Sequence, residues 1–288
     1  MPASMKIAVA GATGRVGRRV VELLEASGYN VVPMSRSTGV DVVTGEGLTE
    51  ALSGVECIID ASSGSAASSA GDPRPSPEAA REFFTASARN LHEVGLKAGV
   101  QRMVEVSVIG IDLFTAGYGA AKFAHEVAML AGPIPVRVLR AAQFHEFVPR
   151  LIEWGTQGDV VYVREMRVQS VASRAVAQAL IDLATDAAWA ASPTRSEPPL
   201  PVIAGPREES LLDMAKLFIA RRGPSLRIEV VTAPSDPDDM LYRDGSLLAG
   251  PDALLAGPTF EEWLDSYDSN MTTPSTLRSR SPSSCRTR

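Results

Sequence analysis

The chain has 288 residues, a formal net charge of -6 and a sequence pI of about 5.3. This length suits one large α/β domain, with or without a small second lobe, and the acidic balance argues against nucleic acid as a partner. Two cysteines, Cys57 in a predicted strand and Cys285 in a polar tail, indicate neither a disulfide framework nor a zinc site, so we expect no metal. No apolar run reaches about 18 residues and no secretory signal is recognisable, so we expect a cytoplasmic protein without a membrane span.

An apolar strand at Lys6–Ala10 leads into three glycines and then a helix. Gly11 permits a tight turn, Gly14 lets backbone N–H groups approach a pyrophosphate, and Gly17 lets the helix pack closely on the sheet. The spacing is Gly-x-x-Gly-x-x-Gly, which also occurs in glycine-rich turns of other α/β proteins. Because a strand precedes it and a helix follows it, we interpret the segment as a dinucleotide site.

A second strand is predicted at Asn30–Arg36, and the residues at its end bear on the choice of cofactor. An acidic side chain there binds the ribose of NAD, whereas a cation accommodates the 2′-phosphate of NADP. Here the residues are Ser35 and Arg36, with Arg15 nearby in the glycine turn. We therefore expect NADPH to be preferred over NADH, the alternative being that either arginine merely solvates a loop.

Two further strands are predicted, a short third strand at Asp41–Val43 and a fourth at Glu56–Ala61, with a helix over 47–53 between them. Ligands lie beyond the carboxyl ends of parallel strands. We therefore expect Asp41 and Val42 at the adenine and Ala61 and Ser62 at the middle of the cofactor. The Ser/Gly/Ala/Pro-rich loop at 62–77 is long enough to close over a ligand.

A long helix at Pro77–Ala98 and a strand at Arg102–Gly110 lead to a helix that contains Tyr118 and Lys122. These two residues are four apart and share one helix face. A lysine beside a tyrosine lowers the pKa of the phenol toward that of a useful general acid, and Ser107, near the end of the preceding strand, could hold a substrate carbonyl. The alternative is an ordinary surface pair on a helix.

Together these motifs resemble those of a short-chain dehydrogenase/reductase, and in particular the atypical NmrA-like, NAD(P)H-binding branch. The resemblance covers about residues 5–267. Its motifs are Gly11–Gly17, Ser35-Arg36, Ser107, Tyr118-x-x-x-Lys122, Arg140–Phe144 and Gly257–Leu264.

The resemblance implies a Rossmann-type, doubly wound parallel α/β sheet with a small C-terminal substrate-binding lobe. It implies catalytic roles for Tyr118 as acid/base, Lys122 as its partner and nicotinamide-ribose ligand, and Ser107 as carbonyl holder. It also implies that Thr13 and Val16 join the glycines at the cofactor. The family's usual asparagine, which anchors a relay water, has no match, because that region reads Phe83-Phe84 and Asn90 lies further along.

The second half of the chain contains a sixth predicted strand at Ile134–Arg140 and a helix over 143–154, where Phe144 and His145 could form a substrate wall. For His145, a packed or solvent-facing role is the commoner alternative. We divide the chain into a core of 5–143 joined again by 163–204, a lobe of 144–162 and 205–268, and a disordered tail of 269–288.

These observations predict an NADPH-dependent oxidoreductase that reduces a carbonyl, quinone or conjugated group of a small hydrophobic or aromatic molecule. Two other functions are compatible with the same residues. One is a regulatory protein that senses NADP(H) without turnover, and the other is a lyase, cyclase or isomerase that uses Tyr118 for proton transfer with no net redox change.

Overall fold

The structure is a computed structural model, and it describes residues 5–64, 76–187, 199–223 and 225–266. Its twelve strands are β1 (Lys6–Ala10), β2 (Asn30–Met34), β3 (Cys57–Asp60), β4 (Arg102–Val108), β5 (Val136–Ala141), β6 (Thr156–Gln157), β7 (Val160–Arg164), β8 (Arg167–Val168), β9 (Val202–Ala204), β10 (Glu209–Ser210), β11 (Arg227–Val231) and β12 (Leu254–Leu255). Its α-helices are α1 (Arg15–Ala26), α2 (Leu48–Ala51), α3 (Pro77–Ala98), α4 (Gly117–Ala131), α5 (Val148–Gly155), α6 (Ser173–Thr185), α7 (Leu211–Arg222), α8 (Asp239–Arg243) and α9 (Phe260–Ser266).

Seven strands form the main sheet in the order β12-β9-β5-β4-β3-β1-β2, and every neighbouring pair is parallel. A parallel sheet is covered by helices on both faces, which is why its internal strand β1 is apolar and buried over Ile7–Ala10. In β1, Ile7 and Val9 face a core that includes α1 and α6, whereas Ala8 and Ala10 face α3. The doubly wound parallel sheet predicted from the sequence is confirmed.

Helix α3 has the bounds that the sequence predicts. Ser76 accepts a hydrogen bond from the Ala79 N–H at 3.2 Å, Pro77 occupies the first turn, and Gly99 ends the helix with a φ of 83°. These are the usual sequence signals for the beginning and the end of a helix, and they explain why the predicted bounds agree with the structure.

The predicted third strand at Asp41–Val43 is wrong, because this segment forms a turn. The Asp41 carboxylate accepts the N–H groups of Val43 at 2.7 Å and Thr44 at 3.3 Å. Such local bonds compete with pairing to a neighbouring strand. The Asn90 side chain then donates to the carbonyls of Val42 at 3.0 Å and Val43 at 2.7 Å, which fixes the turn against α3.

Strand β2 is consequently the edge of the main sheet within the described residues. It contains Pro33, whose carbonyl oxygen accepts the Thr38 hydroxyl at 2.9 Å. Thr38 belongs to a short 3-10 helix, Arg36–Thr38, that directly follows the strand.

The C-terminal half adds two small sheets, a three-stranded one in the order β11-β7-β6 and the antiparallel pair β10-β8. Helix α7 packs on α5, β7 and α9. Strand β12 comes from the segment assigned to the lobe, yet it extends the main sheet beyond β9. The division of the chain into core and lobe stays a prediction. Within the described ranges, no helix has the length and apolar character needed to cross a membrane.

Two predicted features, most of the loop at 62–77 and the tail with Cys285, lie outside the described residues.

Candidate active site

The glycine turn brings the end of β1 into close contact with the start of α1. Gly11 has a φ of +72°, and its carbonyl oxygen accepts a hydrogen bond from the Gly14 N–H at 2.8 Å. A Cβ atom on Gly17 would lie 2.2 Å from that same carbonyl oxygen. Two of the three glycines therefore allow a left-handed turn and a close helix approach, as the sequence predicts.

The start of α1 is suited to bind an anion. Gly14 is the N-cap, provides no side-chain hydrogen bond, and is exposed together with Thr13. No acidic side chain lies in the first turn, so the N–H groups of Arg15, Val16 and Gly17 carry the positive end of the helix dipole without a competing carboxylate. These features fit a pyrophosphate, with the buried Val16 contributing only its backbone.

Among the described residues, no carboxylate stands at the end of β2. The Ser35 hydroxyl lies 2.9 Å from the Ser37 hydroxyl, while Arg36 is exposed and forms no ion pair with any described residue. The Arg15 guanidinium lies over the Phe147 ring at 5.3 Å, and burial and then the nearby Arg150 lower its pKa. Two guanidinium groups are thus available near the glycine turn and the strand that follows it.

Asp41 and Val42, predicted to border the adenine, are engaged in the turn described above. Their polar groups are occupied by Val43, Thr44 and Asn90, so this edge could offer a cofactor mainly the half-buried Val42 side chain.

The loop after β3 connects the glycine turn to Tyr118. A Cβ atom on Gly11 would lie 2.7 Å from the Ala61 carbonyl oxygen, and the next residues along are Ser62 and Ser63. The buried Ser62 hydroxyl has no hydrogen-bond partner among the described residues. The Tyr118 hydroxyl donates to the Ser63 carbonyl at 3.0 Å. A group bound along this loop would therefore touch both the cofactor turn and the candidate acid.

Tyr118 lies one helical turn from Lys122 on α4, as predicted, and 39% of its surface is exposed. The expected lowering of its pKa is wrong. Desolvation raises the pKa of the Tyr118 phenol, and the opposing charge of Lys122 does not overcome it.

Ser107 is near the end of β4, with 2% of its surface exposed and its hydroxyl unpaired among the described residues. An unpaired buried hydroxyl is costly unless a bound group completes it. This fits a role in holding a polar ligand atom.

Lys122 is held by residues that the sequence analysis missed. Its Nζ atom lies 2.7 Å from Glu105 Oε1 and 3.0 Å from His125 Nδ1. The available signals were a carboxylate two residues before Ser107, hence on the same face of β4, and a histidine three residues after Lys122 on α4.

A cavity of about 310 Å³ opens beside Tyr118, at the carboxyl ends of β4 and β5. Its described lining is mostly apolar and contains no lysine or arginine. The principal side chains of its wall are Phe114, Tyr118, Gln143, Met166, Asp238 and Tyr242. Phe114 and Tyr242 meet edge to face with their ring centroids 5.7 Å apart.

Phe144 and His145 do not line this cavity. His145 is fully buried, with its ring nitrogens 2.9 Å from the Ser170 hydroxyl and 3.0 Å from the Pro258 carbonyl oxygen. Phe144 faces a separate small hollow beside Leu211. The packed alternative for His145 is therefore the one that the structure favours, whereas the neighbouring Gln143 reaches the cavity.

Asp238 fixes the start of the helix that carries Tyr118. Its carboxylate accepts the Thr115 hydroxyl at 2.7 Å and the N–H groups of Thr115 and Ala116 at 3.1 and 3.0 Å. These bonds lower the pKa of Asp238 against the effect of burial. They join two segments that are more than a hundred residues apart in the chain.

No protein-family model and no curated protein matches the sequence. Solved structures do. MoeE5 in complex with UDP-glucose and NAD is 20% identical over 90% of this chain and 96% of its own, with a TM-score of 0.61. A short-chain dehydrogenase/reductase superfamily protein from Agrobacterium tumefaciens with bound NAD is 18% identical over 91% and 95%, with a TM-score of 0.59. The NAD-dependent NDP-hexosamine 5,6-dehydratase TunA is 17% identical over 92% and 99%, with a TM-score of 0.62. This chain therefore has a fold of the short-chain dehydrogenase/reductase type.

Proposed function

We propose that the protein is an NADPH-dependent oxidoreductase, of the NmrA-like kind, that reduces a carbonyl, quinone or conjugated group of a small apolar or aromatic molecule. The observation that carries the proposal is the double contact of Tyr118. It lines the cavity, and its hydroxyl bonds to the loop that packs on the glycine turn. A proton donor in this position stands between the cofactor site and the substrate.

In this reaction the bound cofactor supplies a hydride to the substrate. Tyr118 gives its proton to the oxygen atom that becomes negative. Ser107 is not among the residues that line the cavity, but its buried hydroxyl is unpaired among the described residues, and we assign it a hydrogen bond to the same oxygen when the substrate is bound. Thr13, Gly14 and the N–H groups that begin α1 hold the pyrophosphate, and Ser62 holds the middle of the cofactor.

The cavity favours a small uncharged substrate. A volume of about 310 Å³ is at the low end of ligand pockets, which span roughly 300–1,000 Å³. Lysine or arginine side chains strengthen binding of a nucleotide sugar's diphosphate, but none lines the described wall, which contains Asp236 and Asp238. The nucleotide sugars of the similar proteins are therefore not the substrates that we propose here.

The preference for NADPH is supported by the end of β2. Arg36 is exposed and without an ion-pair partner among the described residues, so it can turn toward a 2′-phosphate. No carboxylate is present there to accept the ribose hydroxyls of NADH.

The test is NADPH oxidation by the purified protein with quinones, aromatic ketones and enones, comparing wild type, Tyr118→Phe and Tyr242→Phe. Tyr242 lines the same cavity, which makes its substitution a matched control. We expect Tyr118→Phe to lose about a hundredfold or more in kcat and to bind NADPH normally, whereas Tyr242→Phe keeps kcat within a few-fold. Retention of full kcat by Tyr118→Phe would contradict the proposed role.

A cofactor-sensing protein without turnover is the second candidate. It is favoured by Asn90, which is bound to the turn at Val42 and Val43 and is therefore unavailable for the family's proton relay. Such a protein would bind NADPH and oxidise none with any substrate. A non-redox enzyme would instead convert its substrate while NADPH stays constant.

A further inference from the structure

Beneath Tyr118 lies a buried charge cluster of Asp60, Glu105, Lys122 and His125, each at most 4% exposed. Glu105 Oε1 lies 2.7 Å from Lys122 Nζ and 2.8 Å from His125 Nδ1. His125 Nε2 is 3.4 Å from Asp60 Oδ2 on the other side. Three elements, β3, β4 and α4, contribute to this cluster, so it forms only in the folded chain.

The pair of Glu105 and Lys122 stays ionised over the ordinary pH range. Burial alone would raise the pKa of Glu105, but Lys122 and His125 outweigh it and hold that pKa at about 2. Burial alone would lower the pKa of Lys122, yet Glu105 and Asp60 reverse the effect and raise it. The Lys122 ammonium is thus charged and paired with Glu105 near neutral pH.

The ion pair with Glu105 changes the electrostatic effect of Lys122 on Tyr118. A carboxylate 2.7 Å from Nζ cancels most of the field that the ammonium exerts at a greater distance. Tyr118 is faced by Lys122 from α4, by Phe84 from α3 and by the Ser63 carbonyl from the loop after β3. Asp236 and Asp238 share its cavity. Within the described residues, Lys122 is the only cation among these groups.

We propose that Glu105 is a positioning residue, which holds Lys122 under the site and offsets its charge so that Tyr118 remains a protonated phenol. The catalytic meaning of this arrangement rests on the proposed function. A tyrosine kept protonated suits a reductase, which must give a proton, better than a dehydrogenase, which must remove one. The raised pKa of Tyr118 agrees with this assignment.

The experiment is a spectrophotometric pH titration that follows tyrosinate absorbance in the ultraviolet, without substrate. The contribution of Tyr118 is obtained by subtracting the curve of the same protein carrying Tyr118→Phe. In Glu105→Gln, Lys122 keeps His125 and Asp60 as neighbours, and Asp60 still favours the ammonium against burial. Without the offsetting carboxylate, this charge should lower the midpoint for Tyr118 by about one pH unit or more, a tenfold increase in acidity. Glu126→Gln is the matched control, since it removes a buried carboxylate on α4 that pairs with Arg140 instead, and it should leave the midpoint unchanged.

An unchanged Tyr118 midpoint in folded Glu105→Gln would overturn the proposal, because a purely structural Glu105 affects stability alone. If that variant does not fold, Glu105→Gln with Lys122→Met removes both charges and serves instead. A Tyr118 midpoint equal to that of wild type would then support the offset, and an increase of a unit or more would overturn it.

The titrations of the Glu105 variants need no turnover, so the proposed role of Glu105 and the proposed reductase function can fail separately. A downward shift without NADPH oxidation would refute the reductase and leave the role of Glu105 intact. NADPH oxidation without a shift of the Tyr118 midpoint would refute the role of Glu105 and leave the reductase proposal intact.

Discussion

The close contact of α1 with the glycine turn makes Gly17→Ala a sharp test of the cofactor site. Alanine alone would stabilise a helix interior by about 1 kcal/mol. Here the new Cβ would lie 2.2 Å from the Gly11 carbonyl oxygen and 2.7 Å from its carbon, both backbone atoms that cannot rotate away. Helix and turn must separate by about 1 Å, an overpacking that costs up to about 3 kcal/mol. We expect a net loss of about 2 kcal/mol in the free energy of unfolding.

The same displacement moves the N–H groups that begin α1, so NADPH affinity should fall by about tenfold or more. Urea unfolding and fluorescence titration with NADPH measure the two effects. Gly95→Ala in α3 is the control, because its Cβ would meet only the flexible ends of side chains, Ile134 at 3.0 Å and Ile58 and Met103 at 3.5 Å. Its stability should change by less than about 1 kcal/mol. A Gly17→Ala protein as stable as wild type, with unchanged affinity, would refute the reasoning.

Other predictions address charge. Arg36→Asp should weaken NADPH binding by about tenfold and spare NADH, whereas equal losses for both cofactors would contradict a 2′-phosphate contact. Asp238→Ala should cost about 1–2 kcal/mol in urea unfolding because Thr115 and Ala116, just before α4, lose their hydrogen-bond acceptor, and Asp238→Asn, which keeps an acceptor, should cost less. The stability due to ionised Glu105 is complete above its usual pKa of 4.5 and is lost as the pH falls toward about 2. Over that pH window, the urea midpoint of Glu105→Gln should therefore decline less than that of wild type. Parallel curves for the two proteins would contradict this prediction.

Features governed by short-range signals could be predicted from the sequence. The bounds of α3 follow from Ser76, Pro77 and Gly99, each of which acts within a few residues of its own position. The glycine turn follows in the same way, because positive φ and close approach are properties of Gly11 and Gly17 themselves.

Features that depend on competing hydrogen bonds or on contacts between distant parts of the chain could not be predicted from the sequence. At Asp41–Val43 the apolar pattern favours a strand, but the Asp41 carboxylate and Asn90 stabilise a turn. The raised pKa of Tyr118 is caused by burial, and Glu105 is brought to Lys122 only by the packing of α4 on β4. The sequence therefore predicts the Tyr-Lys pair but not the charge that opposes it.

The proline in β2 has a consequence for how the protein behaves beside its own copies. An exposed edge of a sheet offers N–H and carbonyl groups on which another molecule's strand can add, and this is a common route to aggregation. Pro33 has no N–H to offer, and its carbonyl oxygen is already bonded to the Thr38 hydroxyl. Within the described residues, the edge strand β2 is thereby blocked at Pro33, the fourth of its five residues, which hinders the addition of another molecule's strand there.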